Sequence, residues 1–334
     1  MAKTHILVLY GGGVRGLGTA YILNILEEEL KKHSSSVNEF YDCYAGTSCG
    51  AGFAMALSQG DNTKEVLKSF LKGIPKIFPE GANVAPGLFK SLLTKRLPLG
   101  ILSPRYKSMV ADNVFQEIVG DKEPKKPLFI TSYDVLEGKP IIFSNMYEKF
   151  KVKNHHYEVS LKNIDPWKAV ACSSSVPMLF SPQKITVGKH NLVCIDGAFA
   201  SNNAAFIPFA HYASKGVDIK DIVLTVIGIG KKSSIRARFP KWQSVFEWSA
   251  YKWFKEGPVM EFFLAGPGDV TNASLSEILP KENFLFINYS FEKYEIGLFD
   301  AKPQKLQQIR TLVEKEKKQE IAEKFSQFLK NHFP

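Results

Sequence analysis

The sequence predicts an α/β fold: a three-layer α/β/α sandwich built on a mainly parallel central sheet. Three observations carry that prediction. Short apolar runs of strand length, residues 6–10 and 40–45, are each followed directly by glycine. Segments with apolar residues at helical spacing come next. Over the first sixty residues the two alternate as strand, helix, strand, helix, the rhythm of a parallel sheet covered on both faces.

Residues 6–10 read as a buried strand. Residues 17–32 read as a helix, with Ala20, Leu23, Ile25, Leu26 and Leu30 at helical spacing and Lys31 and Lys32 in the last turn. Residues 40–45 form the second strand and 50–59 a small apolar helix. Further strands are expected at 128–133, 140–144, 192–195 and 222–229, and helices at 106–119, 166–172, 205–215 and 302–330. Residues 73–104 stand apart: Pro75, Pro79, Pro86, Pro98 and Pro104 punctuate leucines and lysines, which predicts a Pro-rich cap segment. A chain of 334 residues suggests about two domains by length. No linker or composition break divides it, so one domain over 1–334 is expected, with its motifs within about 5–230.

Lysine plus arginine total 43 against 33 acids, a net charge of +10. A surplus of that size points to an acidic partner: nucleic acid, an anionic membrane or an acidic substrate. Cys43, Cys49, Cys172 and Cys194 have neither zinc-site nor CxxC spacing, so reduced thiols in a cytosolic setting are expected. The apolar stretch near the N-terminus is too short for a signal-peptide core, and no window reaches the roughly 18 apolar residues of a membrane span. Any membrane contact is therefore expected to be peripheral. The 302–330 helix carries eight cations against Glu314, Glu316, Glu320 and Glu323. It reads as a solvated face before a membrane-facing strip.

Three short motifs carry chemistry. Gly46-Thr47-Ser48-Cys49-Gly50 matches GxSxG where a strand turns into a helix. Glycines on both sides permit a turn too sharp for a Cβ and leave the serine hydroxyl at its apex, a nucleophile elbow. Gly11-Gly12-Gly13-Val14-Arg15-Gly16 matches a dinucleotide fingerprint, yet the second strand does not end in the acid a ribose requires. The other readings are an oxyanion hole of inward-turned N–H groups, and a structural glycine turn. Asp196-Gly197-Ala198 ends a short strand, where it is a candidate base or a turn aspartate bonding its own backbone. None of the seven histidines lies in a glycine-rich turn. A Ser48–Asp196–His211 triad, in α/β-hydrolase order, is the rival arrangement.

Together these motifs resemble the patatin-like phospholipase family, which carries a GGGxRG loop, a GxSxG elbow and a DGG or DGA turn in this order. The resemblance extends from the first strand to about residue 300. It includes Pro75-Lys76-Ile77-Phe78, the stretch Ala171-Cys172-Ser173-Ser174-Ser175-Val176-Pro177, and Asn202-Asn203. Tyr10 stands where the family often has Asp, and Ala198 replaces the commoner glycine. The resemblance implies a Ser48–Asp196 dyad, an oxyanion hole from Gly11, Gly12 and Gly13, and no metal or cofactor. Arg15 would orient that loop, hold a phosphate, or form a structural ion pair. The implied substrate is a phospholipid or other acyl lipid, with an acyltransferase sharing the same acyl-enzyme as an alternative. Other classes are a dinucleotide-binding module and a catalytically idle lipid-binding protein. The basic surplus then favours an anionic lipid surface over nucleic acid, because no nucleic-acid fold or aromatic stacking platform accompanies it.

Overall fold

The computed structural model describes residues 3–79, 105–232, 258–291 and 293–333. Strand β1 spans Thr4–Leu9, β2 Cys43–Gly46, β3 Leu128–Asp134, β4 Lys139–Ser144, β5 Lys151–Val152, β6 Tyr157–Ser160, β7 Gln183–Val187, β8 His190–Ile195, β9 Ile222–Ile227 and β10 Phe284–Ile287. They form one sheet in the order β10-β9-β1-β2-β3-β4-β6-β5, and β8 pairs with both β3 and β7. The run from β10 to β3 is parallel throughout. As expected, β1 and β2 are neighbours, with Leu9 opposite Gly46. Both strands therefore release their chains at the same edge of the sheet, which is how the glycine loop and the serine elbow come together.

Strand side chains alternate between faces. Leu7 and Leu9 enter one core with helix α1 (Gly16–Lys31), while Ile6, Val8 and Tyr10 enter a second core on the opposite face. Short helix α2 (Val37–Phe40) leads into β2, and α3 (Cys49–Gln59) leaves it. Helices α4 (Thr63–Ile77), α5 (Ser108–Ile118) and α6 (Pro166–Ser173) join the first core. After the four-residue α7 (Ala198–Ser201), helices α8 (Phe206–Ser214) and α9 (Pro258–Ile278) cover the second. Helices α10 (Pro303–Thr311) and α11 (Lys318–Leu329) return to pack beside α1. Helices thus lie on both faces of the sheet, as predicted.

Several boundaries differ from expectation. Phe40 belongs to α2, not the second strand, because Ser36 caps that turn by accepting the Glu39 N–H. Pro75 sits inside α4 rather than opening a cap. It costs the last turn one hydrogen bond, and the buried face carrying Val66 and Ile74, with Phe70 packed against the core, outweighs that loss. The rest of the expected cap, residues 80–104, lies outside the described residues. The single helix expected at 302–330 is split by a π-helical turn, Leu312–Glu316, which buries the consecutive Leu312 and Val313 together. Four of its eight cations meet carboxylates, Lys302 with Asp300, Arg310 with Glu314, Lys317 with Glu320 and Lys318 with Glu28, which supports a solvated face. No helix among the described residues is long and apolar enough to cross a membrane.

Candidate active site

Ser48 lies between β2 and α3 with φ +54° and ψ −125°. That region is strained for a residue bearing a Cβ, at a cost of order 1–3 kcal/mol. A serine at a helix N-cap ordinarily accepts an N–H of its own first turn. Ser48 makes no such bond, so its hydroxyl is turned away from its own helix. The elbow is held from both sides. The Thr47 hydroxyl meets that of Thr131 at 2.7 Å and donates to the Ser201 carbonyl at 2.8 Å. The Ser48 N–H donates to Ser173 Oγ at 2.8 Å. A Cβ on Gly50 would stand 2.2 Å from the Leu9 carbonyl oxygen, and one on Gly46 would stand 2.3 Å from that of Gly50. The GxSxG glycines are therefore required by backbone crowding.

Asp196 follows β8 and is 2% exposed. Its N–H donates to the Ser175 carbonyl, and the Gly197 N–H to that of Ser173. The turn at 173–175 thus clamps Ser48 and Asp196 together. Asp196 Oδ1 accepts the Ala198 N–H at 2.8 Å, while Oδ2 is buried without a hydrogen-bond partner. Desolvation pushes the carboxyl up to about 7, against smaller opposing effects of the Ala198 N–H and the Ser48 hydroxyl. The Ser48 hydroxyl is thus within electrostatic reach of the carboxyl but short of a formed hydrogen bond. Ala198 opens α7, where a Cβ is accommodated, whereas one on Gly197 would meet the Thr131 carbonyl oxygen at 2.3 Å. That accounts for DGA in place of DGG.

The glycine loop crosses the start of α3. The Gly12 N–H donates to Cys49 Sγ at 3.2 Å, and Gly13 faces the same sulfur. Burial pushes the Cys49 thiol up to about 12, so it stays neutral at ordinary pH. Gly13 has φ +54°, and a Cβ there would lie 2.3 Å from the Leu298 carbonyl oxygen. The Gly11 N–H donates to buried Asn202 Oδ1 at 3.1 Å, so Gly11 and Gly12 are both partnered here. Arg15 is buried and donates from Nε and Nη2 to the Ile296 carbonyl at 3.0 and 2.8 Å, its guanidinium 4.5 Å over the Phe291 ring. These contacts match the loop-orienting reading. Tyr10, where the family often has Asp, donates nothing to the site. Its hydroxyl accepts from Asn272 Nδ2 at 3.0 Å on helix α9.

His211 does not join Ser48 and Asp196. Its ring packs 5.1 Å from Phe129 and faces Tyr147, and the charges it senses are Lys215 and Glu158. Burial and Lys215 hold its pKa below the usual value. His211→Asn is expected to leave ester turnover near wild type; a collapse of about four orders of magnitude would restore the triad.

Two apolar cavities meet at Ser48. The larger is walled by Phe53, Phe70, Ile74, Phe78, Phe180 and Phe299. The smaller is bounded by Asp196, Ala198, Phe199, Asn202, Leu264 and Leu298. Gly13, Ser48, Val176 and Phe299 border both. Among the described residues, no group of three or more His, Cys, Asp or Glu side chains is placed to hold a metal ion. The sequence reading missed Ser173, Ser175 and Asn202 as positioning residues, although the stretches that contain them share the family pattern. It had no signal for Ile296, Leu298 and Phe299.

A family model described as patatin-like phospholipase matches residues 7–209 of the chain. Patatin-like protein 2 of Oryza sativa subsp. indica is 26% identical over 323 residues, covering 85% of this chain and 76% of that protein. The cGAMP-activated phospholipase of Vibrio cholerae is 29% identical over 219 residues, covering 61% of this chain and 56% of that protein. The solved structure of VipD from Legionella pneumophila aligns with 99% of this chain and 67% of its own, at 16% identity and a TM-score of 0.45.

Proposed function

Because the chain belongs to the patatin-like phospholipase family of lipid-hydrolysing enzymes, we propose that it cleaves acyl esters of phospholipids with a Ser48–Asp196 dyad. The observation that carries this reading is the strained Ser48 beside a buried Asp196 oxygen that lacks a partner, at the junction of two apolar cavities. The larger cavity, whose walls are apolar, receives the acyl chain. Its ester carbonyl then meets Ser48 Oγ.

The Oγ–H proton passes to Asp196 Oδ2 as Oγ bonds to the carbonyl carbon. An aspartate near its ordinary pKa is too weak a base for this at neutral pH. Desolvation supplies the missing basicity. The carbonyl oxygen becomes an oxyanion beside the N-terminus of α3 and the glycine loop, where each N–H donor that turns to it is worth on the order of a hundredfold in rate. The C–O bond to the lysolipid breaks, and the leaving alkoxide takes the proton from Asp196. Water, deprotonated by Asp196, then releases the fatty acid from Ser48.

The test is lipid-product analysis with mixed phospholipid vesicles. Fatty acid and lysolipid are expected from the wild type and neither from Ser48→Ala; equal products from both would end the proposal. Asp196 must be ionised to act, and its folded-state pKa of about 7 lies above the ordinary value. So kcat/KM is expected to climb with pH and level off above about 7. A profile flat from about pH 5 to 8 would remove Asp196 as base. With its net charge of +10, the protein is also expected to bind anionic vesicles in a salt-sensitive way and neutral ones weakly.

A further inference from the structure

Val176, Pro177, Met178 and Leu179 form a tight turn closed by the Leu179 N–H on the Val176 carbonyl at 3.1 Å. Met178 has φ +69°. With proline second and a positive φ third, this is the arrangement of a type II turn, whose third position favours glycine or asparagine because a Cβ is strained there. The chain instead carries methionine, and its side chain is 65% exposed. Neither backbone preference nor packing accounts for an apolar side chain at that place.

The turn sits at the mouth of the site. Val176 borders both cavities beside Ser48, while neither Met178 nor Met109 lines either one. The start of α5 is stitched to the turn: the Arg105 N–H donates to the Met178 carbonyl at 3.0 Å and the Ser181 N–H to Ser108 Oγ at 2.8 Å. Met109, next along that helix, is 68% exposed. On the other side of the smaller cavity stands Phe199, 42% exposed. The exposed Lys107 stands two residues before Met109. Two unbranched and one aromatic apolar side chain are thus exposed near the site, with a cation beside one of them.

We propose that Met178 and Met109, with Phe199 opposite, insert into the interface of an anionic phospholipid bilayer. Lys107 meets lipid phosphates, so that the Ser48 site opens onto the lipid. Flexible thioethers suit an irregular acyl surface, and cations beside an apolar insertion are the pattern of interfacial binding. The surplus of +10 supplies the matching charge. The inference rests on the Ser48–Asp196 reading for its substrate.

The experiment separates the two. Sedimentation with phosphatidylcholine–phosphatidylglycerol vesicles is measured in a Ser48→Ala background, with and without Met109→Glu plus Met178→Glu. Hydrolysis of a soluble short-chain nitrophenyl ester and of vesicle phospholipid is measured with Ser48 intact. The double variant is expected to lose about tenfold or more in vesicle binding and in vesicle hydrolysis, with the soluble ester cleaved as by wild type. Met178→Gly, which removes the side chain and relaxes the turn, is expected to melt at or above the wild-type temperature while losing vesicle binding. Unchanged vesicle binding in both variants would overturn the docking rim. So would a Ser48→Ala protein that does not sediment with vesicles, an outcome that favours a protein partner at this face. A wild type inactive on both substrates would instead defeat the dyad, and the binding arm would still decide the rim.

Discussion

Asp196→Asn is expected to lower turnover by about a thousandfold or more and, above neutral pH, to raise the melting temperature. The two effects have one cause. Burial lifts the Asp196 carboxyl to about 7 against an ordinary value of 3.8. Between those values the folded protein holds a proton that the unfolded chain has released. Stability therefore falls as pH rises through that window, and above it the fold carries the full cost of a desolvated carboxylate. Asparagine keeps an oxygen for the Ala198 N–H and offers its NH2 toward Ser48, without the charge. The stabilisation is expected to be absent near pH 4 and to reach a few kcal/mol by about pH 8. Thermal melts of wild type and variant across that range check it. A variant less stable than wild type at about pH 8 would mean that the carboxylate is better solvated than its surroundings indicate.

Gly50→Ala is expected to damage both fold and chemistry. The new Cβ would stand 2.2 Å from the Leu9 carbonyl oxygen and 2.7 Å from that of Tyr10. Those atoms belong to β1 and to the chain entering the glycine loop, and no side chain can yield to make room. The conflict is relieved only by moving β1 away from α3, at a cost of about 3 kcal/mol or more. The same movement shifts the Gly12 and Gly13 amides relative to Ser48, and a displacement of about 1 Å at a reacting centre costs on the order of a hundredfold. Melting temperature and the labelling rate of Ser48 by a phosphonate are the readouts. A variant that melts like wild type and labels at the wild-type rate would show that the elbow has slack the backbone does not indicate.

What could be read along the chain was whatever depends on neighbours a few residues apart. Strands β1 and β2, helices α1 and α3, and the positions of Ser48, Gly12 and Asp196 at strand ends all follow from apolar period and glycine placement. The start of the cap was misplaced because Pro75 costs α4 one hydrogen bond, a loss that the buried face carrying Val66 and Ile74 outweighs. The long C-terminal helix failed because two adjacent residues, Leu312 and Val313, both had to reach the core.

The roles of groups that meet across long stretches of chain were decided only by folding. Gly11 meets Asn202, Arg15 meets Ile296, and Ser48 meets Ser173. Each pairing spans more than a hundred residues, and no local pattern encodes it. They hold the glycine loop and the elbow in place. His211 lies among Phe129 and Tyr147, away from Ser48 and Asp196. Asp196 illustrates the division most clearly. Its place after a strand was legible from sequence, whereas its basicity arises from burial among residues gathered from several elements, and burial is a property of the folded chain alone.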